Sequence, residues 1–90
     1  MIIEHEIIEQ IEEEPNGRPL AWVCAVVRQH GRDTPLLMLE QMWRSGYVAL
    51  HDDGGQAIAR WKCEEIWRLG QESGAANVVL TDVGRQWVQG

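Results

Sequence analysis

The chain has 90 residues, 44% of them hydrophobic and 24% charged, which is ordinary globular usage and suits one small domain over residues 1–90. No apolar run reaches the roughly 18 residues that span a bilayer, and the acidic start does not resemble a signal peptide. We therefore expect a cytoplasmic protein that does not bind membranes. The formal net charge of −6 lies in residues 1–14, which hold six glutamates and no lysine or arginine.

The side chains that carry catalysis or bind metals do not form a motif. Cys24 and Cys63 make no CxxC pair, and two reduced, partly buried thiols are expected. The adjacent residues His51, Asp52 and Asp53 have no second histidine at metal-binding spacing. No glycine-rich phosphate loop follows a predicted strand. The sequence therefore predicts a protein that is not an enzyme and has no cofactor and no metal.

The first predicted helix covers residues 2–13 and is amphipathic. Isoleucines recur at intervals of four and three residues on one side, and glutamates cover the other side. The helix is expected to end before Pro15, because proline disfavours helical conformation in the preceding residue. The isoleucine stripe either packs on its own domain or pairs with a second copy. Its predicted partner-binding residues are Ile3, Ile7 and Ile11.

Two further helices are predicted in the first half of the chain. Residues 20–30 are apolar nearly all round, which is typical of a central core helix. The next helix begins at Pro35, with Asp33 or Thr34 as its cap. It ends at Gly46, because glycine readily adopts the positive φ that reverses a chain at a helix exit.

The second half is predicted to form a short β-ribbon and a closing helix. Residues 47–50 form one strand, and the aspartates and glycines of residues 52–55 are a strong turn signal. Residues 78–80 form another strand. This strand leads into a helix that runs through Val88, with Thr81 or Asp82 as its cap.

Residues 56–69 fit two structures. Alternating side chains after the turn indicate a returning strand that passes into a helix around Cys63, and we favour this interpretation. The alternative is a helix over residues 57–69. One side of that helix would hold Ile58, Trp61, Glu65, Ile66 and Leu69.

Two pieces of the sequence resemble a known family. Residues 34–50 include MLEQMWRSGYVAL, and residues 78–88 read VVLTDVGRQWV. Both are similar to winged helix-turn-helix domains of the MarR and PadR repressor type. In those domains the recognition helix leads through a glycine into the first wing strand, and the second wing strand leads through Leu-Thr-x-x-Gly-Arg into the next helix. The resemblance implies a small winged-helix-like α+β domain, with three N-terminal helices, a short antiparallel β-ribbon and a C-terminal helix.

The resemblance also implies DNA binding, which the charge disfavours. Residues 34–55 hold one arginine against three acidic residues, whereas nonspecific affinity for DNA comes mainly from Lys and Arg contacts with phosphates. A DNA-binding transcriptional regulator is therefore the alternative function. Its predicted nucleic-acid contacts are Gln41, Arg44, Arg60 and Lys62.

The favoured function is a protein–protein interaction or regulatory module. Trp61 and Trp67 are interleaved with Arg60, Lys62 and Arg68, and both Trp and Arg are enriched at protein interfaces. Two other interpretations are a nucleic-acid strand stacked on the tryptophans and tryptophans that point into the core. The partner is another protein or a second copy, which would make a homodimer. The predicted contacts in this cluster are Trp61, Trp67 and Arg68.

Overall fold

The computed structural model describes residues 3–12, 14, 16–70 and 76–89, with side chains described from residue 5 onward, and it is a small α+β structure. The helices in this part of the chain are α1 (Ile3–Glu12), α2 (Leu20–Gln29), α3 (Pro35–Arg44), α4 (Arg60–Leu69) and α5 (Asp82–Gln89). The strands are β1 (Arg18–Pro19), β2 (Val48–His51) and β3 (Asn77–Leu80). None of these helices is long and apolar enough to cross a membrane.

The three strands form one antiparallel sheet in the order β1–β3–β2. β2 and β3 pair along their whole length, beginning with Val48 opposite Leu80. β1 is only two residues long and places Pro19 opposite Asn77 on the other edge of β3. Proline lacks an N–H group, so it suits an edge strand and limits its length. The sequence did not predict β1.

α1 covers one side of the core, where it packs against β3, α2 and α5. Ile7, Ile8 and Ile11 are each no more than 1% exposed. A small domain has few apolar elements with which to cover its sheet, so the isoleucine stripe is used inside the fold. This burial corrects the expectation that Ile7 and Ile11 bind a partner. The side chain of Ile3 lies outside the described part of the structure.

α2 and α3 fill the centre of the core, as the sequence predicts, although the side chain of Thr34 makes no capping hydrogen bond to α3. At the end of α3, the N–H of Gly46 donates to the carbonyl oxygen of Trp43 at 3.0 Å, and the N–H of Tyr47 donates to that of Met42 at 2.9 Å. Gly46 has φ of 83°, which confirms the predicted glycine exit into β2. The buried residues are Leu20, Val23, Cys24, Val26 and Val27 of α2 and Pro35, Met38, Leu39 and Met42 of α3.

The predicted turn after β2 is confirmed and is organised by Asp52. Its Oδ1 accepts hydrogen bonds from the N–H groups of Gly54 and Gln56, each at 2.9 Å. An aspartate side chain that bonds to the backbone ahead of it is a common way to form a turn. The Asp52 carboxylate therefore has a structural role.

α4 replaces most of the returning strand that we expected. The return is limited to one bridge between His51 and Ala57, and the helix begins at Arg60. Helical spacing places Cys63 and Trp67 towards the core one turn apart and leaves Glu65 exposed, whereas a strand would put Glu65 on the same face as these two residues. The predicted change to helix around Cys63 is therefore placed too late, and α4 lies between the two predicted ribbon strands.

Hydrogen bonds of Thr81 connect the start of α5 to the residues that follow α3. The N–H of Gly84 donates to Thr81 Oγ1 at 3.0 Å, which confirms Thr81 as the predicted cap. The same hydroxyl lies 3.0 Å from the carbonyl oxygen of Tyr47. The ring of Tyr47 stacks on that of Trp87 with centroids 4.2 Å apart. Only glycine fits at position 84, because a Cβ atom there would overlap the Tyr47 carbonyl oxygen.

Candidate protein interface

α4 has apolar side chains on two sides, and among the described residues one side is packed on the core much more closely than the other. On the inner side, Cys63 is 1% and Trp67 is 8% exposed. On the outer side, Trp61 is 63% and Leu69 is 50% exposed. Trp61 and Leu69 are about two helical turns apart and so lie on one strip of the helix. Large apolar side chains exposed together are typical of an interaction site.

A groove of about 670 Å³ runs beside this strip, between α4 and the residues that precede it. Ile58 and Ile66 line the groove and are half-buried. An apolar groove next to an exposed tryptophan can accept side chains of a partner while the tryptophan inserts into the partner's surface. We name as the α4 face the residues Trp61, Lys62, Glu65, Ile66 and Leu69.

The α4 face carries one base and one acid on its apolar background. Lys62 Nζ lies 5.4 Å from the ring centroid of Trp61, and Lys62 forms no ion pair with any other described residue. Glu65 Oε1 lies 3.9 Å from Arg68 Nη2, in an exposed pair of the kind that contributes little to stability. Both charged groups of the face are therefore accessible to a partner.

The inner side of α4 is held against α3 by a cluster around Trp43. The rings of Trp43 and Trp67 have centroids 5.9 Å apart. The guanidinium carbon of Arg60 lies 4.9 Å from the centroid of the Trp43 ring. Arg44 Nη1 lies 3.6 Å from Glu64 Oε1, which joins the two helices. These contacts fix the orientation of α4 and direct its other side to solvent.

The residues of the DNA-binding hypothesis do not form one basic surface. Arg44 and Arg60 come together, but Glu64 lies 3.6 Å from the first and 3.8 Å from the second. Lys62 lies on the α4 face instead, beside the groove. Gln41 is exposed on α3. The two arginines are therefore partly neutralised, and the third basic residue points elsewhere.

Among the residues predicted to bind a protein, the structure exposes Trp61 and Arg68. Trp67 is buried because it packs on Trp43, which corrects its assignment as a partner contact. Ile7 and Ile11 are buried in the core and do not meet this cluster. The predicted contacts thus do not form one surface.

Sequence reasoning missed Lys62, Glu65 and Leu69 as members of a protein-binding face. The signal was present, because residues 61, 65 and 69 recur at intervals of four and therefore share one side of a helix. The alternative helix over residues 57–69 already grouped Trp61, Glu65 and Leu69 on one side, but we favoured a returning strand for the first part of this segment.

A second groove, of about 560 Å³, lies between α3 and α5. It is lined in part by the stacked rings of Tyr47 and Trp87 and by Leu37, which is exposed. The α4 face is the stronger candidate interface, because it combines a larger groove with two exposed apolar side chains of one helix.

Cys63 and Asp52 are side chains of types that often take part in catalysis, and both have structural surroundings here. Burial raises the pKa of the Cys63 thiol, whereas a nucleophilic cysteine needs a lowered pKa. The Asp52 carboxylate is engaged in its turn. Within the described ranges, no three His, Cys, Asp or Glu side chains lie close enough to hold a metal ion.

Comparison with known proteins leaves the function to be inferred from the chain itself. No family model, no curated protein and no solved structure matches it.

Proposed function

We propose that the protein is a non-enzymatic protein–protein interaction module that binds its partner through the α4 face. The observation that carries this proposal is the exposure of Trp61 on a helix whose opposite side is already packed. Buried tryptophans are among the side chains that dominate binding energy at protein interfaces. Leu69 and the neighbouring groove surround Trp61 with apolar surface that a partner can cover.

The contacts between the inner side of α4 and α3 favour binding of a partner at the α4 face. Contacts of Trp43 with Trp67 and of Arg44 with Glu64 hold α4 in one position on α3. A face that is ordered before binding loses less conformational entropy when a partner is bound. The geometry of α4 thus supports its role as a preformed docking element.

A winged-helix-like arrangement is part of the proposal. α3 leads through Gly46 into β2, and β3 leads through Thr81 into α5, which is the path that the sequence resemblance implies. β2 and β3 pair antiparallel, like the two strands of a wing. α4 lies between these strands, and we propose that it is the element that adapts this arrangement to protein binding.

The proposal is tested by replacing Trp61 with the photo-crosslinking residue p-benzoylphenylalanine in the cells that make the protein. Irradiation is expected to give one discrete adduct with a protein. The matched control is the same replacement at Trp22, a tryptophan of α2 that is 36% exposed and lies outside the α4 face. No protein adduct from position 61, or the same adduct from both positions, contradicts the proposal.

The alternative function is a DNA-binding transcriptional regulator, and one observation favours it. The guanidinium groups of Arg44 and Arg60 both lie over the ring of Trp43, at 5.4 and 4.9 Å from its centroid. Paired arginines of this kind can contact phosphates if Glu64 releases both of them and Glu40, 2.9 Å from Arg44, releases Arg44. Arg44→Ala should then weaken binding to duplex DNA and reduce its salt dependence. Failure of the wild-type protein to bind duplex DNA at low salt would exclude this alternative.

A further inference from the structure

We infer that the α4 face binds a second copy of the same chain, through two antiparallel α4 helices related by a two-fold axis. This inference rests on the proposed function, since it names the partner of the same face. Lys62 and Glu65 carry it, because they have opposite charges, are one turn apart and are both exposed on the outer side of α4.

A two-fold axis that passes between Lys62 and Glu65 brings unlike charges together. In a symmetric interface, a residue on one side of the axis meets the partner's residue at the same distance on the other side. Lys62 then lies opposite Glu65 of the partner subunit, and the symmetry repeats this ion pair. Each dimer would therefore contain two such ion pairs, and charge complementarity of this kind fixes the register of an interface.

The same axis matches the apolar residues of the face. Trp61 falls opposite Ile66 of the partner subunit, and Leu69 reaches the residues just before the partner subunit's α4, where Ile58 of the partner subunit lines the groove. Trp61 and Leu69 are the two most exposed apolar side chains of α4, so this arrangement removes the most exposed apolar surface of the helix from water. Ile58 and Ile66 line the groove into which the partner's side chains would pack.

The charges of the α4 face also make the neighbouring register unfavourable. An axis through Glu65 would place this carboxylate against its own copy and would place Lys62 near Arg68 of the partner subunit. Both contacts join like charges, which is costly at an interface. One antiparallel register is therefore favoured over the other.

The location of the acidic residues permits this association. The net charge of −6 belongs to residues 1–14, and α1 packs mainly against β3, α2 and α5. The ion pair of Glu65 with Arg68 is no obstacle, because its side chains are 48% and 71% exposed and its atoms are 3.9 Å apart. Glu65 can therefore turn to Lys62 of the partner subunit at little cost.

The test is sedimentation of the purified full chain and of charge-reversal variants. The wild type is expected to be a dimer. Lys62→Glu places two carboxylates together at each of two symmetric positions, so it should raise the dimer dissociation constant about tenfold or more. Glu65→Lys should have a similar effect. The double variant Lys62→Glu/Glu65→Lys restores both ion pairs and should return the constant to within about threefold of wild type.

The control is Glu9→Lys, which changes the net charge as Glu65→Lys does but lies on the exposed side of α1 and should leave the constant unchanged. A wild type that stays monomeric up to about 1 mM overturns the inference. So does a double variant that is no more dimeric than the single variants. A monomer that forms a one-to-one adduct with a different protein from position 61 contradicts binding of a second copy but leaves the proposed function standing. A monomer that forms no protein adduct from position 61 contradicts both the inference and the proposed function.

Discussion

Arg44 of α3 and Glu64 of α4 form an ion pair between the two helices, with 3.6 Å between Nη1 of the arginine and Oε1 of the glutamate. The guanidinium carbon of Arg44 also lies 5.4 Å from the centroid of the Trp43 ring. This exposed pair joins α4 to α3, and the packing of Trp67 on Trp43 supplies most of the attachment. The ion pair also reduces the positive charge that Arg44 can offer to a phosphate, which favours a protein partner over DNA.

Trp43→Ala should destabilise the fold by about 2–3 kcal/mol, as measured by urea unfolding. Trp43 is half-buried against Trp67, so the cost should lie below the roughly 3–5 kcal/mol of a fully buried tryptophan. Trp22→Ala is the control, since Trp22 is more exposed and its ring contact is with the guanidinium of Arg18. A loss below about 1 kcal/mol for Trp43→Ala would mean that α4 does not pack on α3 in this way.

Gly84→Ala should cost about 2–3 kcal/mol, because the added Cβ would overlap the carbonyl oxygen of Tyr47 and press on Leu80. The same substitution at Gly54 is the control. The nearest atom to a Cβ there is Oδ1 of Asp52 at 3.4 Å, so Gly54→Ala should be nearly neutral. Equal stabilities of the two variants in thermal unfolding would contradict the close approach of α5 to the α3 exit.

Thr81→Val should cost about 1–2 kcal/mol, because it keeps the shape of the side chain but removes the hydroxyl that caps α5. That hydroxyl accepts a hydrogen bond from the N–H of Gly84 at 3.0 Å and lies 3.0 Å from the carbonyl oxygen of Tyr47. Urea unfolding measures the loss. Thr34→Val provides the comparison, because the Thr34 side chain makes no capping hydrogen bond and its replacement should have little effect. A Thr81→Val variant with the same free energy of unfolding as wild type would contradict the capping role of Thr81.

Stability should fall as the pH rises above about 8.5, in part because of Cys63. Burial raises the pKa of the Cys63 thiol, so the folded chain keeps this proton at pH values where the unfolded chain has lost it. The contribution is complete below the unfolded pKa and is lost as the pH rises through the folded one. Cys63→Ala should therefore lose less stability than wild type between pH 7 and about pH 9.5. Identical losses in the two proteins would contradict the raised pKa.

The parts of the fold that the sequence predicted are those with local signals. The isoleucine spacing of α1 and the glycine exit at Gly46 depend on residues within a turn or two of each other. β1 has no such signal, because its two residues are defined by pairing with Asn77 and Val78, far along the chain. Pairing between distant segments is a tertiary property that periodicity does not report.

The candidate site was harder to predict, because α4 has two apolar sides. Trp61 and Trp67 are equivalent tryptophans in the sequence, and either could have faced the core. Contact with Trp43 buries Trp67 and leaves Trp61 in solvent. We expected both tryptophans to contact a partner, and the difference between them depends on the packing of α4 on α3.

If the α4 faces of two chains cover each other, the indole N–H of Trp61 loses contact with solvent when the dimer forms. The measurement is nitrogen-15 NMR of the tryptophan indoles with a soluble paramagnetic agent, from about 10 μM to about 1 mM protein. The Trp61 signal should become protected from broadening as the concentration rises, while that of Trp22 stays constant. Equal broadening of the Trp61 signal at every concentration would contradict the inference that the α4 face binds a second copy.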